Sequence, residues 1–265
     1  ATELSLREAG VAVAQKHFVA GEIQLEQGQY AVAAESYKHS LAALPTLSAH
    51  LNRGIALFLA NDYPSAKASF RAGLEQSESK SGFAAAFWAG LGQLYQREGE
   101  LDSAAVYFQR ALHEFERGGH VAGQGQVIGD LGAAHFMRGQ LDSALVYLRR
   151  ARQLHLHAGD GRGQARDADR IGTVLLMQGA ADSAFSAYRA AERFYRDTAD
   201  RRALAGTLGN LGNAYFEQGQ LDEALLAYKE SLALHRQGGR RAGRSSVART
   251  HRAYSPATGE VAGGG

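Results

Sequence analysis

The chain has 265 residues, 45% of them hydrophobic, with a formal net charge of +2 at pH 7 and no cysteine. So small a net charge gives no global field that would attract nucleic acid or an anionic membrane surface. The absence of cysteine excludes disulfides and thiolate metal sites, and no apolar run approaches the roughly 20 residues that span a bilayer.

The N-terminal third predicts helices in pairs. Residues 2–27 predict one helix with apolar positions that include Val11 and Val13, and Gly28 ends it. A second apolar pattern follows and stops before Pro45, which closes the first pair. The next pair is a weaker copy of the same pattern. The chain therefore begins with two successive helix pairs.

The stretch from residue 88 to residue 111 carries the clearest repeating unit. One helix face is predicted at Trp88, Leu91, Gly92 and Tyr95, a turn at Gly99, and a second helix face at Ala104, Phe108 and Ala111. Three of these positions recur every 40 residues: Gly92 as Gly132, Gly172 and Gly212; Gly99 as Gly139, Gly179 and Gly219; Ala104 as Ala144, Ala184 and Ala224. This 40-residue register predicts that paired helices cross closely at Gly92, Gly132, Gly172 and Gly212.

The order W-x2-L-G-x2-Y followed by A-x3-F resembles the tetratricopeptide repeat (TPR), and the long repeats are similar to those of kinesin light chains and bacterial peptide-sensing regulators. The resemblance implies an all-α, right-handed TPR-type α-solenoid of antiparallel helix pairs. An array over residues 1–239 would hold six repeats, at about 13–46, 47–80, 84–119, 124–159, 164–199 and 204–239. Residues 240–265 would form a degenerate seventh repeat, with a capping helix over 242–254 and a loose glycine-rich end.

The resemblance also implies that the first helix of each repeat lines a concave groove that binds an extended peptide. Asn210 and Asn213 match asparagines that bond the peptide backbone in related repeats, although asparagine is also tolerated on any exposed helix face. The groove residues implied in this way are Asp130, Phe136 and Met137 in the fourth repeat, Arg166, Arg170, Thr173 and Met177 in the fifth, and Asn210, Asn213 and Phe216 in the sixth.

Two arginines in the fifth repeat resemble half of a carboxylate clamp. Arg166 and Arg170 lie four residues apart on one predicted helix face. Asp130 stands where such a clamp would place asparagine, and its carboxylate would repel a bound carboxylate or pair with the arginines. An internal charge network of Asp130, Asp169 and Arg170 is the favoured alternative.

The sequence holds no motif of a catalytic or metal site. His155 and His157 are two apart, so on a helix they point to different sides, and we expect both at a solvated helix end. Trp88 occupies the family's buried position and is expected in the core. We therefore predict a protein that is not an enzyme and that has no cofactor and no metal.

Two functions remain open from the sequence. One is a non-catalytic interaction scaffold with a protein or peptide partner, without nucleic acid and without a membrane span. The other is a structural subunit that assembles with itself through the solenoid ends, because the first helix is fairly apolar. The chain begins at Ala1 rather than methionine, which fits either a mature secreted product or a fragment; as a location, we expect secreted or periplasmic slightly more than cytoplasmic.

A tripeptide of Asp, Ser or Thr, and Ala occurs four times. It resembles the O-glycan acceptor motif of certain secreted bacterial proteins, although aspartate in a first helical turn also complements the helix dipole. The predicted acceptors are Ser103, Ser143, Ser183 and Thr198.

Overall fold

A computed structural model describes residues 3–77 and 82–237 of the chain. Regular structure within these ranges is entirely helical, as predicted. The predicted capping helix over residues 242–254 lies outside the described residues. The helices are α1 (Glu3–Glu26), α2 (Tyr30–Ala43), α3 (Leu47–Leu59), α4 (Tyr63–Gln76), α5 (Gly82–Glu98), α6 (Leu101–Arg117), α7 (Val121–Met137), α8 (Leu141–His157), α9 (Gly161–Met177), α10 (Ala181–Asp197), α11 (Arg201–Glu217) and α12 (Leu221–Gln237).

Turns between paired helices require left-handed backbone. Gly99, which follows α5, has a φ of 82°, and a side chain at that angle would be strained. Asn61 takes the same place after α3 with a φ of 65°, a conformation that asparagine tolerates better than most residues. The turns predicted at Gly99, Gly139, Gly179 and Gly219 are therefore confirmed, and Asn61 forms the corresponding turn in the second repeat.

The chain divides into two compact units, residues 1–160 and 161–265. In the first unit, each first helix presents a glycine to a large side chain of the second helix. A Cβ built on Gly92 would lie 2.6 Å from the ring of Phe108, which real structures do not tolerate. Gly54 faces Phe70 in the same way, and Gly132 faces Leu148. The core of this unit therefore consists of large side chains seated on glycine.

The second unit, which contains α9 to α12, repeats this packing. A Cβ on Gly172 would lie 2.7 Å from the ring of Tyr188, and a Cβ on Gly212 would lie 2.6 Å from the ring of Tyr228. In every pair the large side chain follows the glycine by 16 residues. The glycine register predicted from the sequence thus marks the helix crossings.

Two predicted placements need correction. His155 is 0% exposed, so it does not lie at a solvated helix end; the backbone of α7 at Gly125 leaves room for its ring. His157 is exposed, as expected. Trp88 is only half-buried, while its neighbour Phe87 is fully buried. Adjacent residues on a helix point about 100° apart, so Phe87 faces inward and Trp88 does not.

Candidate functional site

Asp169 on α9 is joined to α11 by hydrogen bonds. Its Oδ2 accepts from Nδ2 of Asn210 at 3.0 Å, and the Thr207 side chain forms a second hydrogen bond. Burial raises the pKa of the Asp169 carboxyl above its ordinary value, while these two bonds and the Arg170 guanidinium act in the opposite direction. Asn210 is therefore held in place by an internal partner on the face where a peptide contact was predicted.

Tyrosine hydroxyls orient the next two predicted contacts. The Tyr228 hydroxyl donates to Oδ1 of Asn213 at 2.7 Å. The Tyr188 hydroxyl donates to Oγ1 of Thr173 at 3.1 Å. Asn213 is exposed, and because its carbonyl oxygen already accepts a bond, its Nδ2 is the group that it presents as a donor. The rings that lie over the glycines thus also fix polar side chains of the first helices.

Arg166 and Arg170 are both partly buried on α9. Burial raises the pKa of the neighbouring Tyr195 to about 12, and the positive charge of Arg166 opposes that shift. The positive charge of Arg170 opposes the rise in the pKa of the Asp169 carboxyl. Asp130, the third member of the predicted charge network, lies in the first unit. The two guanidinium groups therefore belong to a partly buried polar cluster and not to a free basic surface.

Apolar contacts are also available on the first helices of the second unit. Met177 near the end of α9 is 63% exposed, and Phe216 near the end of α11 is 44% exposed. Exposed thioether and aromatic groups of this kind adapt readily to a partner's surface. On α11, Phe216 lies one helical turn from the exposed amide of Asn213.

The three candidates of the fourth repeat lie in the first unit. Asp130 is buried, 4% exposed, and accepts from Nε2 of Gln93 at 2.9 Å. Phe136 is partly buried, whereas Met137 is 53% exposed. Of these three side chains, Met137 alone is freely accessible.

Sequence reasoning missed the residues that hold the predicted contacts. Tyr188, Tyr228 and Thr207 bond to Thr173, Asn213 and Asp169 respectively. The signal that could have identified the tyrosines is their spacing, since each follows its partner by 15 residues. Thr207 carried no such signal, because its bond joins two repeats.

Metal sites, membrane-spanning helices and the predicted glycan acceptors were also sought in the part of the chain that the structure describes. No group of three or more His, Cys, Asp or Glu side chains there could hold a metal ion. None of the described helices is long and apolar enough to cross a bilayer. Among the predicted glycan acceptors, Ser183 and Thr198 are exposed, while Ser103 and Ser143 are partly buried.

Models of the tetratricopeptide repeat match most of the chain. One matches residues 164–237, a second matches 18–81 and 60–118, and a third matches 126–158. Among curated proteins no sequence matches significantly. Solenoids of this fold are generally non-catalytic.

Several solved structures share the fold. The apo form of RapI superposes with a TM-score of 0.69 at 17% identity, over 85% of this chain and 84% of that one. The Rap conjugation gene regulator of plasmid pLS20, in complex with the Phr* peptide, gives 0.66 at 17% identity, over 90% and 75%. Aspartyl phosphate phosphatase F from Bacillus subtilis gives 0.66 at 12% identity, over 86% and 72%. At these identities the likeness is one of fold.

Proposed function

This chain belongs to the tetratricopeptide repeat family, and we propose that it is a non-catalytic interaction scaffold whose first helices bind a peptide or a partner helix. The observation that carries the proposal is the orientation of Asn213 by Tyr228 beside the exposed Phe216. An amide held in one orientation loses little entropy on binding, so it suits recognition of an extended backbone. The peptide bound in the pLS20 regulator is consistent with this use of the fold.

Within this proposal the predicted contacts have unequal roles. Asn213, Phe216 and Met177 reach solvent and would touch the ligand. Asn210, Thr173 and Arg170 would act mainly by holding the face in shape, because each already interacts with neighbouring side chains. Met137 extends the proposal to the first unit.

Peptide selection followed by substitution tests this function. Peptides selected from a random library on the purified chain would be measured by calorimetry against the double variant Asn210→Ala, Asn213→Ala. Loss of hydrogen bonds to a bound backbone should weaken binding by roughly 1–3 kcal/mol. Tyr228→Phe is the matched control for orientation: it keeps the ring over Gly212 and removes the hydroxyl, so a smaller loss is expected. Equal affinity of wild type and double variant would contradict the site.

A second candidate function is a structural subunit that assembles head to tail. Exposed apolar side chains on the first helix support it, since Val11, Val13 and Ile23 are 52%, 46% and 50% exposed. A contact of this kind that does not close on itself produces filaments. Negative-stain images of the purified chain should then show filaments that disappear in Val11→Ser, Ile23→Ser; a uniform monomer would exclude this function.

We also retain the proposal that Asp-Ser-Ala and Asp-Thr-Ala carry O-glycans. Exposure of Ser183 and Thr198 supports it. In the fold, however, the Thr198 hydroxyl donates to the backbone oxygen of Phe194 at 2.8 Å, which is an ordinary helix-end contact. Intact-mass measurement of protein from its native source decides the matter: a mass equal to the bare polypeptide would remove the glycans.

A further inference from the structure

A groove between α4, α5 and α6 lies apart from the first-helix contacts described above. We name it the α4–α6 groove; it has a volume of about 340 Å³ and is lined by residues that include Leu74, Ala84, Trp88, Arg110 and His113. Leu74 and Ala84 supply apolar walls, and the half-buried Trp88 ring supplies an aromatic surface. An aliphatic or aromatic side chain of a ligand would be buried well against these groups.

A row of three aromatic rings beside this groove has an arginine at each end. Trp88 and Tyr107 stack with ring centroids 5.6 Å apart, and Tyr107 stacks on Tyr95 at 4.9 Å. The Arg110 guanidinium lies 5.0 Å from the centroid of the Trp88 ring. At the other end, Nη2 of Arg71 donates to the Tyr95 hydroxyl at 3.4 Å. A guanidinium that rests on a ring is pre-organised and still presents its N–H edge to a ligand.

Near the groove, several charges are paired, while Glu75 on α4 and the two arginines of the row are exposed. Glu114 is paired with Arg117 at 3.0 Å, and Lys67 is paired with Glu98 at 2.9 Å. Arg71 and Arg110 are exposed, and neither forms an ion pair with any residue in the described ranges. Burial and the neighbouring Tyr95 raise the pKa of the Tyr107 hydroxyl, while the positive charges of Arg71 and Arg110 act in the opposite direction.

We propose that the α4–α6 groove binds an acidic peptide segment of a partner protein. An apolar side chain of the segment packs on Trp88, and flanking carboxylates bond to the guanidinium groups of Arg110 and Arg71. Guanidinium recognises carboxylate through paired N–H donors, and that geometry matches the edges these arginines present. Nucleic acid fits the region less well, because its backbone is bound by many cations, whereas the carboxylates of Glu98 and Glu114 stand beside these two arginines.

The single tryptophan makes the groove directly observable. Trp88 is the chain's only tryptophan, so a change in its emission reports on this groove alone. The probes are synthetic peptides in which glutamates flank a central leucine or phenylalanine, the same peptides with glutamine for glutamate, and a single-stranded oligonucleotide. We expect a saturable change in emission with the glutamate peptides, weakened at raised salt, and at least roughly tenfold weaker binding of the glutamine peptides.

Variants then assign the binding to individual side chains. With a dye-labelled glutamate peptide followed by anisotropy, Arg110→Gln and Arg71→Gln should each weaken binding by about tenfold, the loss of one charged hydrogen-bonded contact. Arg189 is the residue of a later repeat that corresponds to Arg71, and the variant Arg189→Gln should bind the peptide as the wild type does. The double variant Asn210→Ala, Asn213→Ala should also be unchanged, which separates this proposal from the function proposed above. Thermal unfolding followed by circular dichroism confirms that each variant is folded.

Several results would overturn the proposal. They are the absence of a saturable change with every glutamate peptide, equal binding of glutamate and glutamine peptides, and equal binding by wild type and Arg110→Gln. Tighter binding of the oligonucleotide than of the peptides would replace the acidic segment with nucleic acid and would refute the proposal as stated.

Discussion

The α4–α6 groove has a counterpart in the second unit whose charged side chains are paired internally. We name this the α10–α12 groove; it has a volume of about 560 Å³. Its lining includes Glu192, Leu208 and Glu230 at the register positions of Leu74, Trp88 and Arg110. Arg196 bridges the two glutamates, at 2.9 Å to Glu192 and 2.6 Å to Glu230.

One contact is shared by both grooves. Arg189 donates to the Tyr215 hydroxyl at 2.7 Å, as Arg71 donates to the Tyr95 hydroxyl at 3.4 Å. The helices therefore build the same groove twice, and a few side chains decide whether its charge is available to a ligand or paired internally. In a repeat protein, equivalent surfaces can diverge in this way because each repeat packs mainly on its neighbours.

The largest expected effect tests the packing that the two units share. Gly92→Leu in the first and Gly212→Leu in the second should each lower the free energy of unfolding by about 1–3 kcal/mol, because the new side chain would overlap the ring of Phe108 or Tyr228. Denaturant unfolding followed by circular dichroism measures both.

Gly206→Ala is the control for these substitutions. Gly206 also lies within a helix of the second unit, but a Cβ there meets nothing within 4 Å. Alanine should therefore raise the free energy of unfolding by about 0.5–1 kcal/mol through helix propensity. A stable Gly212→Leu beside a destabilised Gly92→Leu would show that the two units do not share this packing.

A smaller effect is expected at the turns that follow the second helices. Gly119 and Gly159 in the first unit have φ of 68° and 69°, whereas Ala199 in the second has a φ of 53°. A non-glycine residue in left-handed backbone costs about 1–2 kcal/mol. Ala199→Gly should therefore stabilise the chain, by about 0.5–1 kcal/mol after the entropy that glycine adds to the unfolded state.

The matched control makes the opposite change, from glycine to alanine, at the corresponding turn of the first unit. Gly119→Ala should destabilise the chain by a similar amount, and thermal melts of both variants measure the pair. If Ala199→Gly lowers the melting temperature, the strain assigned to Ala199 is absent.

The smallest effect concerns the paired charges of the α10–α12 groove. The hydrogen bond from Arg196 lowers the pKa of the Glu230 carboxyl below its ordinary value. The resulting stabilisation is present above about pH 4.3, the usual pKa of glutamate, and is lost as the pH falls through the lower folded value. Because both side chains are more than two-fifths exposed, solvent screening limits it to a few tenths of a kcal/mol.

Arg196→Gln provides the comparison. The difference in unfolding free energy between wild type and variant should be largest near neutral pH and should shrink below pH 4. A difference that grows on acidification would contradict the lowered pKa. In the acidic-peptide titration, adding Arg189→Gln to this variant should leave the affinity unchanged. The remaining negative charge of Glu230 would still repel an acidic peptide from the α10–α12 groove.

How far the candidate site could be predicted depended on whether the signal was periodic. Gly172 and Gly212 were found because a glycine is required wherever two helices cross closely, and that requirement returns in every repeat. Asn213 was proposed as a contact from its place in the family pattern, but its bond from Tyr228 was not predicted, because the tyrosine hydroxyl is not part of that pattern. The bond between Asn210 and Asp169 joins two repeats, so no single repeat contains its signal.

The sequence by itself determined the helical fold, the pairing of the helices and the turns, because spacing, glycine and left-handed backbone are local requirements. Burial was decided by the tertiary structure. His155 looked like a helix-end residue yet is fully buried, and Trp88 looked like a core residue yet lies half-exposed beneath Arg110. The reason is physical: period and propensity are properties of one helix, whereas the exposure of a side chain depends on the neighbours that the fold places against it.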